Sequence, residues 1–293
     1  MVMNSIVRQP KHISKTTKQN KKMLRVTISH CILICFCAVF IIPFLWMVLT
    51  SLKTQQEIYS SPPTIFPKHF AFDNYYKAFT AIPYLQYTFN TLFISIANVV
   101  GQVISSSMVA YSMSKIQWKG QKYLFPIIVA TMMIPYQVTM VPLYMVFKNL
   151  SFIGTFIPLI LPAFFGGAYY IFLLRQFFMT IPSSLIEAAT IDGADEVRIF
   201  VKVLLPLCKP AITSIAIFTF LANWSDFMGP LLYLNKESMY TLSIGLQAFL
   251  QSHYVEWSLL MAASATFTIP IIILFFFAQK YFIEGITVTG IKG

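Results

Sequence analysis

The sequence predicts an all-α polytopic membrane protein with six transmembrane helices, and three observations carry that prediction. Only 11% of the 293 residues are charged and 57% are hydrophobic, against roughly a quarter charged in an ordinary soluble domain. The apolar residues gather in recurring, mostly charge-free stretches long enough to cross a bilayer. Of the 21 Lys and Arg residues, 16 fall in alternate connections between those stretches, the bias that keeps basic residues on the cytoplasmic side. An outer-membrane barrel would instead show ~10-residue segments of alternating hydrophobicity, and none occur.

Residues 1–25 carry seven basic residues and read as a disordered cytoplasmic tail. The rest, 26–293, reads as one membrane domain. Span 1 covers about 26–50 with Pro43 inside; it is too long for a signal-peptide core and lacks a small-residue cleavage pattern. The 51–86 connection holds Pro62, Pro63 and Pro67, which forbid a continuous helix. Asp73 is then placed to cap a short helix with Tyr75, Tyr76 and Phe79, suited to the outer membrane surface.

Span 2 covers about 87–113. Lys115, Lys119 and Lys122 follow, marking a cytoplasmic connection. Span 3 is expected over 123–147 with Pro126, Pro135 and Pro142, and span 4 over 155–174 with Gly166-Gly167 and with Arg175 at its inner end. Span 5 is expected over 210–232, span 6 over 258–279, and both chain ends on the cytoplasmic side. The net charge of +11 is thereby topological, and nucleic acid is not an expected partner. Cys31, Cys35, Cys37 and Cys208 read as packing residues, and the four His residues show no ligand spacing, so no metal site is expected.

The polar loop at 182–209 holds four of the ten acidic residues. Ser184 with Glu187 predicts a capping box, and Leu185, Ala188, Ala189 and Ile191 a small apolar helical face. Gly193 is suited to a left-handed turn. A second helix is expected through Val197, Phe200, Val201 and Leu204, disturbed by Pro206 and Pro210. No Gly-x-x-x-x-Gly-Lys-Ser/Thr occurs, so the phosphate-cradling loop of an ATPase is missing, as are hydrolase and metalloprotease motifs.

Glu187-Ala188-Ala189, Gly193 separated by nine residues from Val203, and Leu205-Pro206 together resemble the EAA signature of ABC importer permeases. Phe172-Leu173-Leu174-Arg175-Gln176-Phe177-Phe178, Met133-Ile134-Pro135, Asn223-Trp224-Ser225-Asp226-Phe227 and the Val288-Thr289-Gly290-Ile291-Lys292-Gly293 ending are similar to carbohydrate-uptake permeases of the maltose transporter class. Among these the chain resembles the smaller, six-span partner.

The resemblance implies a cytoplasmic coupling-helix loop between spans 4 and 5, with Glu187, Ala188, Ala189, Asp192, Gly193, Leu205 and Pro206 docking on a cytoplasmic ATP-binding subunit. The implied partners are two such subunits, a second homologous permease and an extracytoplasmic solute-binding protein, in a bacterial cell membrane. ATP and Mg would be used by those partners, with no cofactor in this chain. The implied function is import of a sugar or oligosaccharide. A glycerophosphate or other polyol derivative is the alternative solute, and a membrane-embedded transferase the alternative class, though the latter would need acids or histidines clustered at one membrane face. A secondary transporter would need ion-coupling charges in several spans, where Asp226 stands alone.

Asn223, Trp224 and Asp226, with Gln137 in span 3, are candidates for the solute path, Trp224 offering a face for a sugar. Asp226 equally fits an interfacial residue reaching for water, and Gln137 an interhelical hydrogen bond.

Overall fold

The computed structural model describes residues 15–251 and 255–290, with side chains described for 23–250 and 255–279. Every regular element among them is helical. Four helices are long and apolar enough to cross a membrane, or up to six if each of two bent pairs forms one span.

α1 runs Lys15–Ser51. It starts well before the predicted span because no Gly or Pro interrupts residues 15–42, so helix propagates into the polar stretch. Residues 15–25 are therefore helix rather than disordered tail, and 1–14 lie outside the described residues. Two short helices follow, α2 (Gln55–Ile58) and α3 (Asp73–Ala81). Asp73 opens α3 as its first residue, and Phe72 holds the capping position without a side-chain bond. The buried Asn74 ties the connection down, its Nδ2 donating to the Ser51 and Lys53 carbonyls at 2.8 Å each.

α4 (Tyr84–Ser112) matches span 2 and is a central post, packed against the fourth and fifth spans. Thr91, Ser95, Asn98, Gln102 and Ser106 are buried along it at helical spacing. The expected span 3 is not one helix. α5 (Gln121–Thr131) and α6 (Tyr136–Asn149) meet at 100°, because Pro135 pushes Ile134 out of helical geometry and offers no amide donor.

Span 4 is also interrupted. α7 (Ile157–Ile160) passes into a 3-10 turn at Leu161–Phe165, and Gly166 at φ +81° leads into α8 (Ala168–Thr180). Under-satisfied carbonyls at such a break would be costly in hydrocarbon, and α4 adds donors to them. Asn98 Nδ2 donates to the Leu159 carbonyl at 2.9 Å, and Ser105 Oγ to the Ala163 carbonyl at 2.8 Å. α8 continues six residues past the expected end, so Arg175 lies within the helix.

Past the polar loop, α12 (Lys209–Trp224) forms span 5 and stops earlier than predicted; the short α13 (Met228–Tyr233) carries the rest of the 210–232 range. α14 (Leu242–Gln251) starts where the Thr91 hydroxyl accepts the Leu242 amide at 2.9 Å. α15 (Trp257–Gly290) contains span 6, and its helix extends through most of the expected tail; residues 291–293 lie outside the described residues.

Two apolar clusters sit at opposite ends of the bundle. One joins Ala78, Tyr87, Leu242, Phe249 and Ala262. The other joins Ala110, Tyr111, Leu174, Phe178, Leu204, Cys208 and Ile215, and it seats the polar loop.

Candidate functional site

The polar loop contains α9 (Ser183–Ile191), then α10 (Glu196–Arg198), a π-helical turn over Ile199–Leu204 and α11 (Leu205–Leu207). The predicted capping box does not form. Pro182, already extended at ψ 135°, occupies the capping position with no side-chain bond, because its ring preorganises the chain for the helix that follows. Ser184 is thus inside the first turn, and Glu187 is exposed one turn further on.

The C-terminal end of α9 matches expectation. Gly193 adopts φ +79°; its amide donates to the Thr190 carbonyl at 3.0 Å and the Ala194 amide to the Ala189 carbonyl at 2.9 Å. That is the Schellman pattern, which satisfies otherwise orphaned carbonyls. A Cβ on Gly193 would meet nothing within 4 Å, so the left-handed backbone alone demands glycine there. Asp195 then starts the second helix, its Oδ1 accepting from the Arg198 amide at 2.7 Å.

Pro206 and Pro210 contribute no amide hydrogens, so carbonyls one turn back lose their helical partners. The chain widens into the π turn and bends by 80° before α12. Ile199, Leu204 and Cys208 are buried there, and Ile186 and Phe200 pack on the cluster beneath. Leu205 is half-buried and Pro206 exposed.

One polar contact fastens the loop to α4, and others brace the span ends beside it. The Tyr111 hydroxyl at the end of α4 donates to Glu196 Oε2, and its ring lies 5.2 Å from that of Phe200. Lys115 Nζ donates to the Ile181 carbonyl at 2.7 Å, and burial pulls its ammonium below the ordinary lysine value. Arg175 Nε donates to the Met113 carbonyl at 2.8 Å, while its guanidinium sits 4.0 Å from the Phe125 ring centroid. Sequence reasoning missed Tyr111, Lys115, Asp195 and Glu196 as parts of this site. Only Asp195 was legible, as an Asp three residues before Arg198 at a helix start.

The opposite face of the loop is uncovered. Ile191 is 86% exposed, Val197 70% and Leu185 45%, and Ala188 and the acidic Glu187, Asp192 and Asp195 are exposed around them, with Ala189 half-buried. An apolar stripe rimmed by acids on a short rigid helix pair is a shape for a groove.

The second candidate group is only partly brought together. Asn223 Nδ2 is spent on the Thr219 carbonyl of its own helix at 2.8 Å. Trp224 cannot offer a face to a sugar in this conformation, because it is 1% exposed. Its ring stacks on Phe220 at 5.4 Å, and its Nε1 donates to the Phe267 carbonyl at 3.1 Å. Asp226 lies in the break after α12, partly buried, with Oδ1 accepting from the Gly229 amide at 3.2 Å. Gln137 is exposed in the first turn of α6, beside Tyr136. Asn90 Nδ2 donates to the Ser238 and Tyr240 carbonyls at 3.0 and 2.9 Å.

Comparison with known proteins agrees with this architecture. Residues 102–288 match the family described as binding-protein-dependent transport system inner membrane component. The arabinooligosaccharides transport system permease protein of Halalkalibacterium halodurans is 36% identical over 89% of this chain and 93% of its own length. The protein of the same description from Bacillus subtilis is 34% identical over 87% and 91%, and the diacetylchitobiose uptake system permease protein of Streptomyces coelicolor 29% over 86% and 84%. Among solved structures, a chain of a bacterial ABC transporter that imports the acidic polysaccharide alginate has the same fold. It superposes with a TM-score of 0.77 at 23% identity, over 94% of this chain and all of that one.

Proposed function

The chain belongs to the binding-protein-dependent transport system inner membrane components, and on that footing we propose that it is the smaller permease of a bacterial ABC importer for an oligosaccharide. The observation that carries the solute class is the 36% identity, along nearly the full length of both chains, to a permease named for arabinooligosaccharides. The chain makes and breaks no covalent bond; ATP and Mg belong to two cytoplasmic ATP-binding subunits, and a second permease completes the pathway.

The exposed stripe of Leu185, Ala188 and Ile191 is the surface offered to an ATP-binding subunit, with Glu187 and Asp192 on its rim. Closure of those subunits on ATP would push on α9, and the buried Ile199 and Leu204 would carry the push to α4, α8 and α12. The basic bias of the sequence puts this end and both termini in the cytoplasm. The 51–86 and 233–257 connections then face outward, where a solute-binding protein would deliver its cargo.

Uptake of a labelled oligosaccharide panel by cells with and without this chain tests the proposal. Loss of uptake of at least one oligosaccharide on deletion is expected; identical uptake of the whole panel would refute it.

A further inference from the structure

We propose that the cavity between Trp46 and Trp257 binds the headgroup of a zwitterionic phospholipid bearing a primary ammonium. The site goes beyond the transport reading and uses only the membrane placement of the first and sixth spans. The cavity holds about 220 Å³ and lies where α1 ends, α2 follows and α15 starts. Trp46 and Thr50 of α1, Lys53 and Glu57 of the connection, and Trp257 and Met261 of α15 line it.

Lys53 is the informative member, because it is only 3% exposed. Its Nζ donates to the Thr64 carbonyl and stands 5.1 Å from the Trp46 ring centroid, a favourable seat for a cation. An ammonium carries three donors, and no carboxylate forms an ion pair with this one among the described residues. A buried charge is costly unless paired, so the position suits an incoming anion. Thr50 lines the same cavity, and its buried hydroxyl has no hydrogen-bond partner, a condition native proteins rarely keep.

Glu57 supplies the opposite charge at 8% exposure. Its Oε1 accepts from the Thr64 hydroxyl at 3.0 Å and the Lys68 amide at 2.8 Å, which leaves acceptor capacity on the other oxygen. One cavity thus faces a cation and an anion that do not pair with each other. A simple anion would be drawn to Lys53 and repelled by Glu57, and a simple cation the reverse. A phosphodiester joined to a short ammonium arm satisfies both, phosphate on Lys53 and ammonium on Glu57. The walls identify the carrier as a lipid. Trp46 is 47% exposed, and Trp gathers at the membrane–water interface. Ile42 and Leu45, nearby on α1, are apolar and exposed, a surface for acyl chains to follow. The bound headgroup would then brace the 53–68 connection against the ends of spans 1 and 6.

The test titrates the complete complex in detergent with phosphatidylethanolamine, phosphatidylcholine, phosphatidylglycerol and free ethanolamine phosphate, counting bound molecules by native mass spectrometry. Wild type is expected to bind phosphatidylethanolamine about tenfold more tightly than the other lipids, since a trimethylated ammonium offers Glu57 no N–H and a glycerol headgroup no charge. Ethanolamine phosphate, lacking acyl chains, should bind far more weakly. Lys53→Met should lower the phosphatidylethanolamine affinity at least about tenfold, the scale of a lost hydrogen bond to a charged group. Glu57→Gln should lower it too and erase the preference over phosphatidylglycerol. Co-purification of all subunits checks assembly. Glu57→Gln keeps an acceptor for Thr64 and Lys68 and carries the test if Lys53→Met fails to assemble. The difference between wild type and variant separates this site from lipid around the spans. Equal wild-type affinity for the three lipids, unchanged binding by the variants, or ethanolamine phosphate binding as tightly as the lipid overturns the proposal. No arm measures uptake, so each of these results leaves the transport reading standing.

Discussion

The Tyr111 hydroxyl donates to the Glu196 carboxylate, binding the last turn of α4 to the helix that begins after the Gly193 turn. A hydrogen bond to a charged group contributes roughly 1.5–3 kcal/mol, and this one spans two elements that must move together if the loop transmits force. Tyr111→Phe should therefore leave the complex assembled but lower solute imported per ATP hydrolysed several-fold, as measured in proteoliposomes. Glu196→Gln keeps an acceptor and should be milder. Equal transport ratios in both variants and wild type would show that the apolar cluster alone holds the loop.

Gly193 offers a separate handle on the same loop. A left-handed β-branched residue costs about 1–2 kcal/mol, while open space around the position removes any steric contribution. Gly193→Val should depress ATP hydrolysis stimulated by the loaded binding protein, and Gly193→Asn, a residue that tolerates this backbone, should retain most of it. A steric explanation would instead make the two variants similar.

Ile191 is the most exposed large apolar side chain described. Ile191→Asp costs the isolated chain nothing in packing, yet adds charge to the face offered to the ATP-binding subunit. Detergent co-purification should lose that subunit while thermal stability of this chain stays within about 0.5 kcal/mol of wild type. Retention of the subunit would move the docking face elsewhere.

Glu57 sets a pH limit on the opposite end. Burial pushes its carboxyl up, but the Lys68 amide at 2.8 Å, the Thr64 hydroxyl at 3.0 Å and the Lys53 and Lys68 charges outweigh it, leaving a lowered value. A carboxylate lowered by folding stabilises above its unfolded value, about 4.3, and that contribution is lost as pH falls through the folded one. Proteolytic protection of residues 54–68 should hold from neutral pH to about 5 and weaken only below the ordinary glutamate range. Glu57→Gln should flatten that response.

Much of the fold was legible because hydrophobic length and basic bias are properties of long segments, which average over local errors. The interruptions were not placed correctly for the opposite reason. Pro126 and Pro142 lie inside continuous helices while Pro135 breaks one, and the difference depends on whether neighbouring groups take up the freed carbonyl. In the polar loop, Gly193 was readable because a backbone angle demands a residue type. The Ser184 cap failed because Pro182 had already set the helix start. The burial of Trp224 was not legible, since it is decided by packing on Phe220 and Phe267, one of them 43 residues away.

The pairing of Asn98 and Ser105 with the carbonyls of the broken fourth span bears on how the chain enters the bilayer. Without α4 the Leu159 and Ala163 carbonyls would each lose a donor, Ala163 keeping only the 3.4 Å bond from the Gly166 amide, and under-satisfied backbone is costly in hydrocarbon. On that ground the fourth segment is expected to settle in the bilayer against the second rather than alone.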